Sequence, residues 1–204
     1  MVAAINLDVS TFIDGEIAKS RAAIDALATP HYSQILAEIA DKVVDSLRAG
    51  GKIMFCGNGG SAADSQHLAA ELVGRQNYNR AAAAGLALTV DSSALTAIGN
   101  DYGYETVFSR QVEALGNAGD VLIGISTSGR SPNVVRAIDA AKAKGITTVS
   151  FTGNESRDMA NADILLPVPA KETAKIQELH ITCGHIVFAL AERILFPDEY
   201  PGNR

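Results

Sequence analysis

Two short stretches of this chain place small hydroxylated and amide side chains where an apolar run gives way to a helical one. The first, Gly57-Asn58-Gly59-Gly60-Ser61, follows Ile53 to Cys56 and precedes an alanine-rich segment with no Gly or Pro until Gly74. Such a turn exposes backbone N–H groups and a hydroxyl at a helix N-terminus, which favours an anion or a polyhydroxylated ligand. The second, Ser126-Thr127-Ser128-Gly129-Arg130-Ser131-Pro132, follows the run Val121 to Ile125 and opens another helix. A helix that is only capped needs one hydroxyl. Four hydroxyls and a glycine make an anion site without a lysine, and a phosphate fits it best.

One or two turns past the first loop, His67 and Glu71 stand four residues apart on one face of the same helix. Alone, such a pair is commonly a solvated helical contact; next to an anion-binding turn it offers an imidazole and a carboxylate to a ligand. The last helix, roughly Thr173 to Leu195, carries Gln177, Glu178, His180 and His185. His180 and His185 lie about 140° apart around the axis and cannot serve one point together. Gln177 and His185 are separated by roughly 12 Å along the axis, which strains one site drawn from both unless both side chains reach fully; either the helix starts irregularly or a second subunit completes the site. A single histidine in an apolar helix is more often structural. Asn100 and Asp101, in the polar turn Gly99 to Gly103, are equally suited to capping a helix near Tyr104 and to touching a ligand.

The elements that must carry these groups alternate. Thr11 to Ala28 and His31 to Ala49 read as amphipathic helices, joined at Thr29-Pro30 and closed by Gly50-Gly51. Strands are expected at Ile53 to Cys56, Gly85 to Val90, Val121 to Ile125, Thr147 to Phe151 and Ile164 to Val168, with helices at Glu105 to Leu115 and Pro132 to Lys144 between them. The alternation implies a mainly parallel sheet covered on both faces, with ligand loops at the carboxyl ends of its strands. Residues 1 to 50 then form a helical extension and 51 to 204 the α/β unit, one structural domain overall.

With 204 residues, 47% hydrophobic, the chain can build one sizeable core. A net charge of -6 with scattered basic residues argues against nucleic-acid or anionic-membrane partners. No apolar run reaches the roughly 18 residues of a membrane span, and the N-terminus lacks a signal-peptide pattern, so a cytoplasmic protein is expected. Cys56 and Cys183 form no metal or redox motif, and neither is assigned a catalytic role.

The segments CGNGGSAADSQHLAAELVGR, LTAIGNDYGYETVFSRQVEALGNAGDVLIGISTSGRS and IQELHITCGHI together resemble the phosphoheptose isomerases, members of the sugar isomerase (SIS) class, from about Ala28 to Phe196. The resemblance implies a flavodoxin-like three-layer αβα sandwich with a five-stranded parallel sheet, plus N-terminal helices that pack between subunits of a homotetramer with interface active sites. It also implies isomerisation of sedoheptulose 7-phosphate through an enediolate, the first step towards activated heptose. Carried over by position, the substrate contacts are Asn58, Gly59, Gly60, Ser61, Glu71, Asn100, Asp101, Ser126, Thr127, Ser128, Ser131 and Gln177. The implied zinc ligands, one ion per subunit, are His67, Glu71, Gln177 and His185, and the implied catalytic pair is Glu71 with His185. Relatives of this fold that bind the replication initiator DnaA replace the counterparts of Glu71 and His185 and alter the GGS loop; this chain keeps all three features. Sugar-phosphate-sensing regulators and hexosamine-type isomerases usually carry a further domain, for which 204 residues leave little room.

Overall fold

The computed structural model describes residues 8 to 203. Five parallel strands, β1 (Ile53–Gly57), β2 (Gly85–Ala87), β3 (Val121–Ser126), β4 (Thr147–Thr152) and β5 (Ile164–Pro167), lie in the order β2-β1-β3-β4-β5. Strand geometry makes alternate residues face opposite layers. Ile53 and Phe55 join one core with Ile123, Ile125, Val149 and Phe151, while Met54, Cys56 and Leu122 point into the other.

The first core is covered by α1 (Val9–Leu27), α2 (Pro30–Arg48), α3 (Gly60–Val73) and α7 (Thr173–Leu195). The second is covered by α5 (Ser109–Leu115) and α6 (Pro132–Ala143), with α4 (Ser92–Tyr102) packing Leu95 and Ile98 at its margin. This is the doubly covered parallel sheet expected from the alternation of elements, and the three-layer αβα sandwich that the family resemblance implies. At the amino ends of the strands two carboxylates tie neighbours together. The buried Asp120 accepts from the Lys52 backbone and ammonium at 2.9 and 2.6 Å, joining the starts of β1 and β3. Burial pushes its carboxyl up, but the hydrogen bonds from Lys52 and the Asn117 backbone prevail and hold it below the usual carboxylate range. Asp163 does the same for β4 and β5 by accepting the Thr148 N–H and hydroxyl at 2.9 and 2.7 Å.

Local structure differs from the sequence expectation by more than a residue or two in three places. β2 ends at Ala87 instead of Val90, because the chain turns away after pairing with Phe55 and Thr89 Oγ1 donates to the Ala62 carbonyl. Asn100 and Asp101 do not form a turn; they occupy the last turn of α4, and Gly103, at φ 89°, makes the reversal. Neither caps the next element: the helix expected from Glu105 is a 3-10 turn at Tyr104–Thr106, without a side-chain cap, succeeded by the shorter α5.

α2 buries Ile39, Ala40 and Val43 completely and so belongs to the cover of the sheet. α1 buries only Ala23 and Leu27 and leaves Val9, Phe12, Ile13, Ile17 and Ile24 about half exposed or more. Among the described residues no helix is long and apolar enough to cross a membrane.

Candidate active site

In the order β2-β1-β3-β4-β5 the connections from β1 and β3 leave in opposite directions, so a crevice opens between the carboxyl ends of those two strands. Both hydroxyl-rich loops lie there. After β1, Gly59 adopts φ 57°, a conformation open to glycine at little cost, and the Asn58 carbonyl accepts the Ser61 N–H at 3.0 Å to start α3. Ser61 is buried and belongs to the first turn of that helix. After β3, the Ser126 hydroxyl stands 2.9 Å from that of Ser131 and 3.3 Å from that of Ser128, and Ser131 occupies the N-cap of α6. Thr127 holds the turn through its carbonyl, which accepts the Gly153 N–H at 3.2 Å. The loop therefore gathers hydroxyls around a helix N-terminus, as its sequence implies.

The second half of the site lies along the seam between α3 and α7, which run side by side in the same direction. The Gln177 amide lies over Gly60, where a Cβ would collide with it. Further along, Gly184 faces Leu68: an added Cβ would fall 2.6 Å from Leu68 Cδ2, so glycine is what allows the two helices to approach. Next to that contact His67 Nε2 and His185 Nε2 stand 2.8 Å apart, and His67 Nε2 is 3.2 Å from Glu71 Oε1. The ligand atoms of His67, Glu71 and His185 all lie within 4.8 Å of one another. Glu71 Oε2 is buried without a hydrogen-bond partner. Two imidazole nitrogens facing each other beside an unsatisfied carboxylate oxygen are a donor set that suits a divalent cation of the zinc type.

The cluster has a brace. Arg80, in the loop after α3, donates to the backbone carbonyls of Glu71 at 2.6 Å and Leu72 at 2.7 Å, and through Nε to Glu192 on α7 at 3.1 Å. Both charged side chains are 2% exposed. Glu192 further accepts the backbone N–H groups of Gln76 and Asn77, each at 3.0 Å, and Gln76 Nε2 donates to the His185 carbonyl at 3.0 Å. One loop thus ties together both helices that carry the cluster.

α7 is a regular helix from Thr173 onward, which removes an irregular start as the way to bring Gln177 beside His185. Asn100 and Asp101 are exposed on α4, the Asn100 amide donating to the Asp101 carboxylate at 2.8 Å. His180 faces away from the cluster. It is buried against Phe151, with Nε2 3.0 Å from the Thr152 carbonyl, and burial lowers its pKa to about 4. Cys56 and Cys183 are buried thiols, each pushed by burial up to about 12.

Two further residues of the site are not singled out by sequence pattern. Asp64, one turn before His67 on α3, has a buried oxygen without a partner; burial raises its pKa while His67 and His185 oppose the rise. The signal that could have found it is its i, i+3, i+7 spacing with His67 and Glu71. Asn133, the second residue of α6, is buried and exchanges side-chain hydrogen bonds with Asn58. Nothing local in the sequence marks that partner 75 positions away.

A flavodoxin-like parallel sheet with a hydroxyl-lined loop at its switch point is the architecture of the SIS class. The SIS domain family model matches residues 17–153. The phosphoheptose isomerase of Burkholderia pseudomallei (strain K96243) is 52% identical over 188 residues, covering 91% of this chain and 95% of that one. That of Akkermansia muciniphila is 57% identical over 160 residues, 78% of this chain and 85% of the relative. The solved phosphoheptose isomerase from Neisseria gonorrhoeae superposes with a TM-score of 0.81 at 44% identity, over 88% of this chain and 97% of the other. The chain belongs to the SIS-domain family and, within it, to the phosphoheptose isomerases.

Proposed function

We infer that the chain interconverts sedoheptulose 7-phosphate and D-glycero-D-manno-heptose 7-phosphate through an enediolate, the first step of activated-heptose synthesis. The observation that carries the reading is the meeting of Glu71 and His185, from separate helices, at one point of a seam that begins at the sugar-binding loop. Moving a carbonyl from C2 to C1 requires a base to carry a proton between those carbons and a second group to exchange the oxygen-bound proton. Glu71 carries the carbon-bound proton. His185 moves the oxygen-bound one and assists ring opening.

The remaining site residues hold the substrate. Ser126, Thr127, Ser128 and Ser131 grip the phosphate with the N-terminus of α6. Asn58, Gly59, Gly60, Ser61, Asn100, Asp101 and Gln177 receive the hydroxylated chain.

Zinc is the proposed cofactor, one ion per subunit, held by His67, Glu71 and His185, with Gln177 as the fourth donor. When bound it acts as a Lewis acid that favours negative charge on the substrate oxygens. Gln177 stands about 12 Å of helix from His185. Completing the set therefore draws it from its seat over Gly60 or takes the equivalent side chain of a neighbouring copy. The open apolar face of α1, with Phe12, Ile13 and Ile17, supports a homotetramer in which the N-terminal helices pack between subunits. A cytoplasmic setting fits the two unpaired, buried thiols.

The test is turnover of sedoheptulose 7-phosphate by purified protein, with metal content and mass in solution measured on the same sample. Turnover with about one zinc per chain in a tetramer is the expected result. No conversion after zinc reconstitution overturns the reading.

A further inference from the structure

We propose that Asn133 is a positioning residue for the isomerase reaction: its amide closes a two-bond ring with Asn58 that fixes the sugar-binding loop against the phosphate loop and so favours substrates of full chain length. The proposal rests on the isomerase reading above.

Asn133 Nδ2 donates to Asn58 Oδ1 at 2.8 Å, and Asn58 Nδ2 donates to Asn133 Oδ1 at 2.9 Å. Flipping either amide alone breaks both bonds, so each side chain fixes the orientation of the other. Asn133 is 3% exposed, and an unpaired amide there would be costly. The ring joins the residue after β1 to the second residue of α6, across the switch-point crevice. Beside it lies a cavity of about 320 Å³ lined by Asn58, Tyr104, Glu105, Ser131, Pro132 and Asn133. Tyr104 Oη stands 3.5 Å from Asn58 Oδ1 on this cavity.

The ring uses one of the two hydrogens on the Asn58 amide nitrogen and leaves the other for a sugar hydroxyl. It also sets the separation between that amide and Ser131 of the phosphate loop. A substrate anchored by its phosphate is rewarded when its chain spans this separation, and a short chain gains nothing from it. The covalent backbone leaves the two loops independent: Asn133 lies 75 positions after Asn58, and the ring links them through side chains.

The test compares Asn133→Leu and Asn133→Asp with the wild-type holoenzyme on seven-, six- and five-carbon sugar phosphates, with inorganic phosphate as competitive inhibitor. For Asn133→Leu, KM for the seven-carbon substrate is expected to rise about tenfold. KM for the five-carbon substrate and the inhibition constant for inorganic phosphate should change less than about twofold, because neither uses the fixed span. Asn133→Asp supplies a sharper readout. As a carboxylate it offers only acceptors and keeps one of the two bonds while its second oxygen faces Asn58 Oδ1, so its KM for the seven-carbon substrate should rise at least as far as that of Asn133→Leu. An unchanged seven- to five-carbon ratio, or a parallel loss for all substrates and phosphate together with a lowered Tm, overturns the proposal. So does a wild-type KM for Asn133→Asp on the seven-carbon substrate. No turnover by the wild type fails the isomerase reading itself, whereas normal wild-type turnover with an unchanged Asn133→Leu ratio overturns the ring alone.

Discussion

The two halves of the site are built from different materials. The seam between α3 and α7 is braced by buried charge: Arg80 and Glu192 bond to each other and, at 3.1 Å or less, to the turn and helix ends around the cluster. The crevice between β1 and β3 is held by neutral groups, the hydroxyls of Ser126, Ser128 and Ser131 and the amides of Asn58 and Asn133. The difference matches the ligand proposed for each half. A phosphate brings its own charge and is met by N–H dipoles and hydroxyls that need little counter-charge. Two imidazoles and a carboxylate, drawn from two helices and lying within 4.8 Å of one another, take a rigid frame to hold them there.

The contrast between charged seam and neutral crevice is tested most severely at the cluster. Glu71→Gln keeps size and hydrogen-bonding capacity but removes the proposed base. Turnover of sedoheptulose 7-phosphate is expected to drop about a thousandfold, with the far-UV spectrum and the melting transition near wild type; turnover within tenfold of wild type would separate Glu71 from proton transfer. Next comes the brace. Arg80→Met leaves Glu192 buried without its partner, which costs about 3–5 kcal/mol. A denaturant midpoint lowered by that energy divided by the m-value, with zinc affinity reduced alongside it, is expected. An unchanged midpoint would mean that the loop, and not the charge, sets the seam.

His180 extends the contrast to a single helix. Only five residues before His185, it packs on the sheet and is held neutral, with its pKa lowered to about 4. Between about 6.5 and 4 the unfolded chain takes up a proton on this histidine and the folded chain does not, so stability is lost as pH falls through that window, by roughly 3 kcal/mol at its lower end. His180→Gln keeps a donor for the Thr152 carbonyl and should flatten this acid limb in urea titrations at pH 4 to 7. The smallest effect belongs to the phosphate loop. Ser131→Ala removes one of several donors, and a KM rise of about tenfold without loss of kcat is expected.

Legibility in the sequence divides along the same line. The two loops can be read because strand, small polar turn and helix are consecutive, and each announces itself through composition within about ten residues. His67 with Glu71 is equally plain, since helix geometry alone places i and i+4 together. Asn100 and Asp101 mislead because a polar run containing two glycines reads as a turn, yet the backbone reverses only at Gly103. Asn133 and Arg80 escape notice because a single amide or guanidinium carries no local mark of the partner it will meet.

Short-range pattern and aligned residues are enough for the order of strands and helices, the chemistry at each turn and the membership of the chain in its family. They do not say that His185 reaches His67 and Glu71 while His180 turns to the sheet. That choice depends on the rotation of α7 and on its approach to α3, which Gly184 permits and Arg80 with Glu192 holds. Such quantities arise from packing between segments more than a hundred residues apart, and no local propensity encodes them.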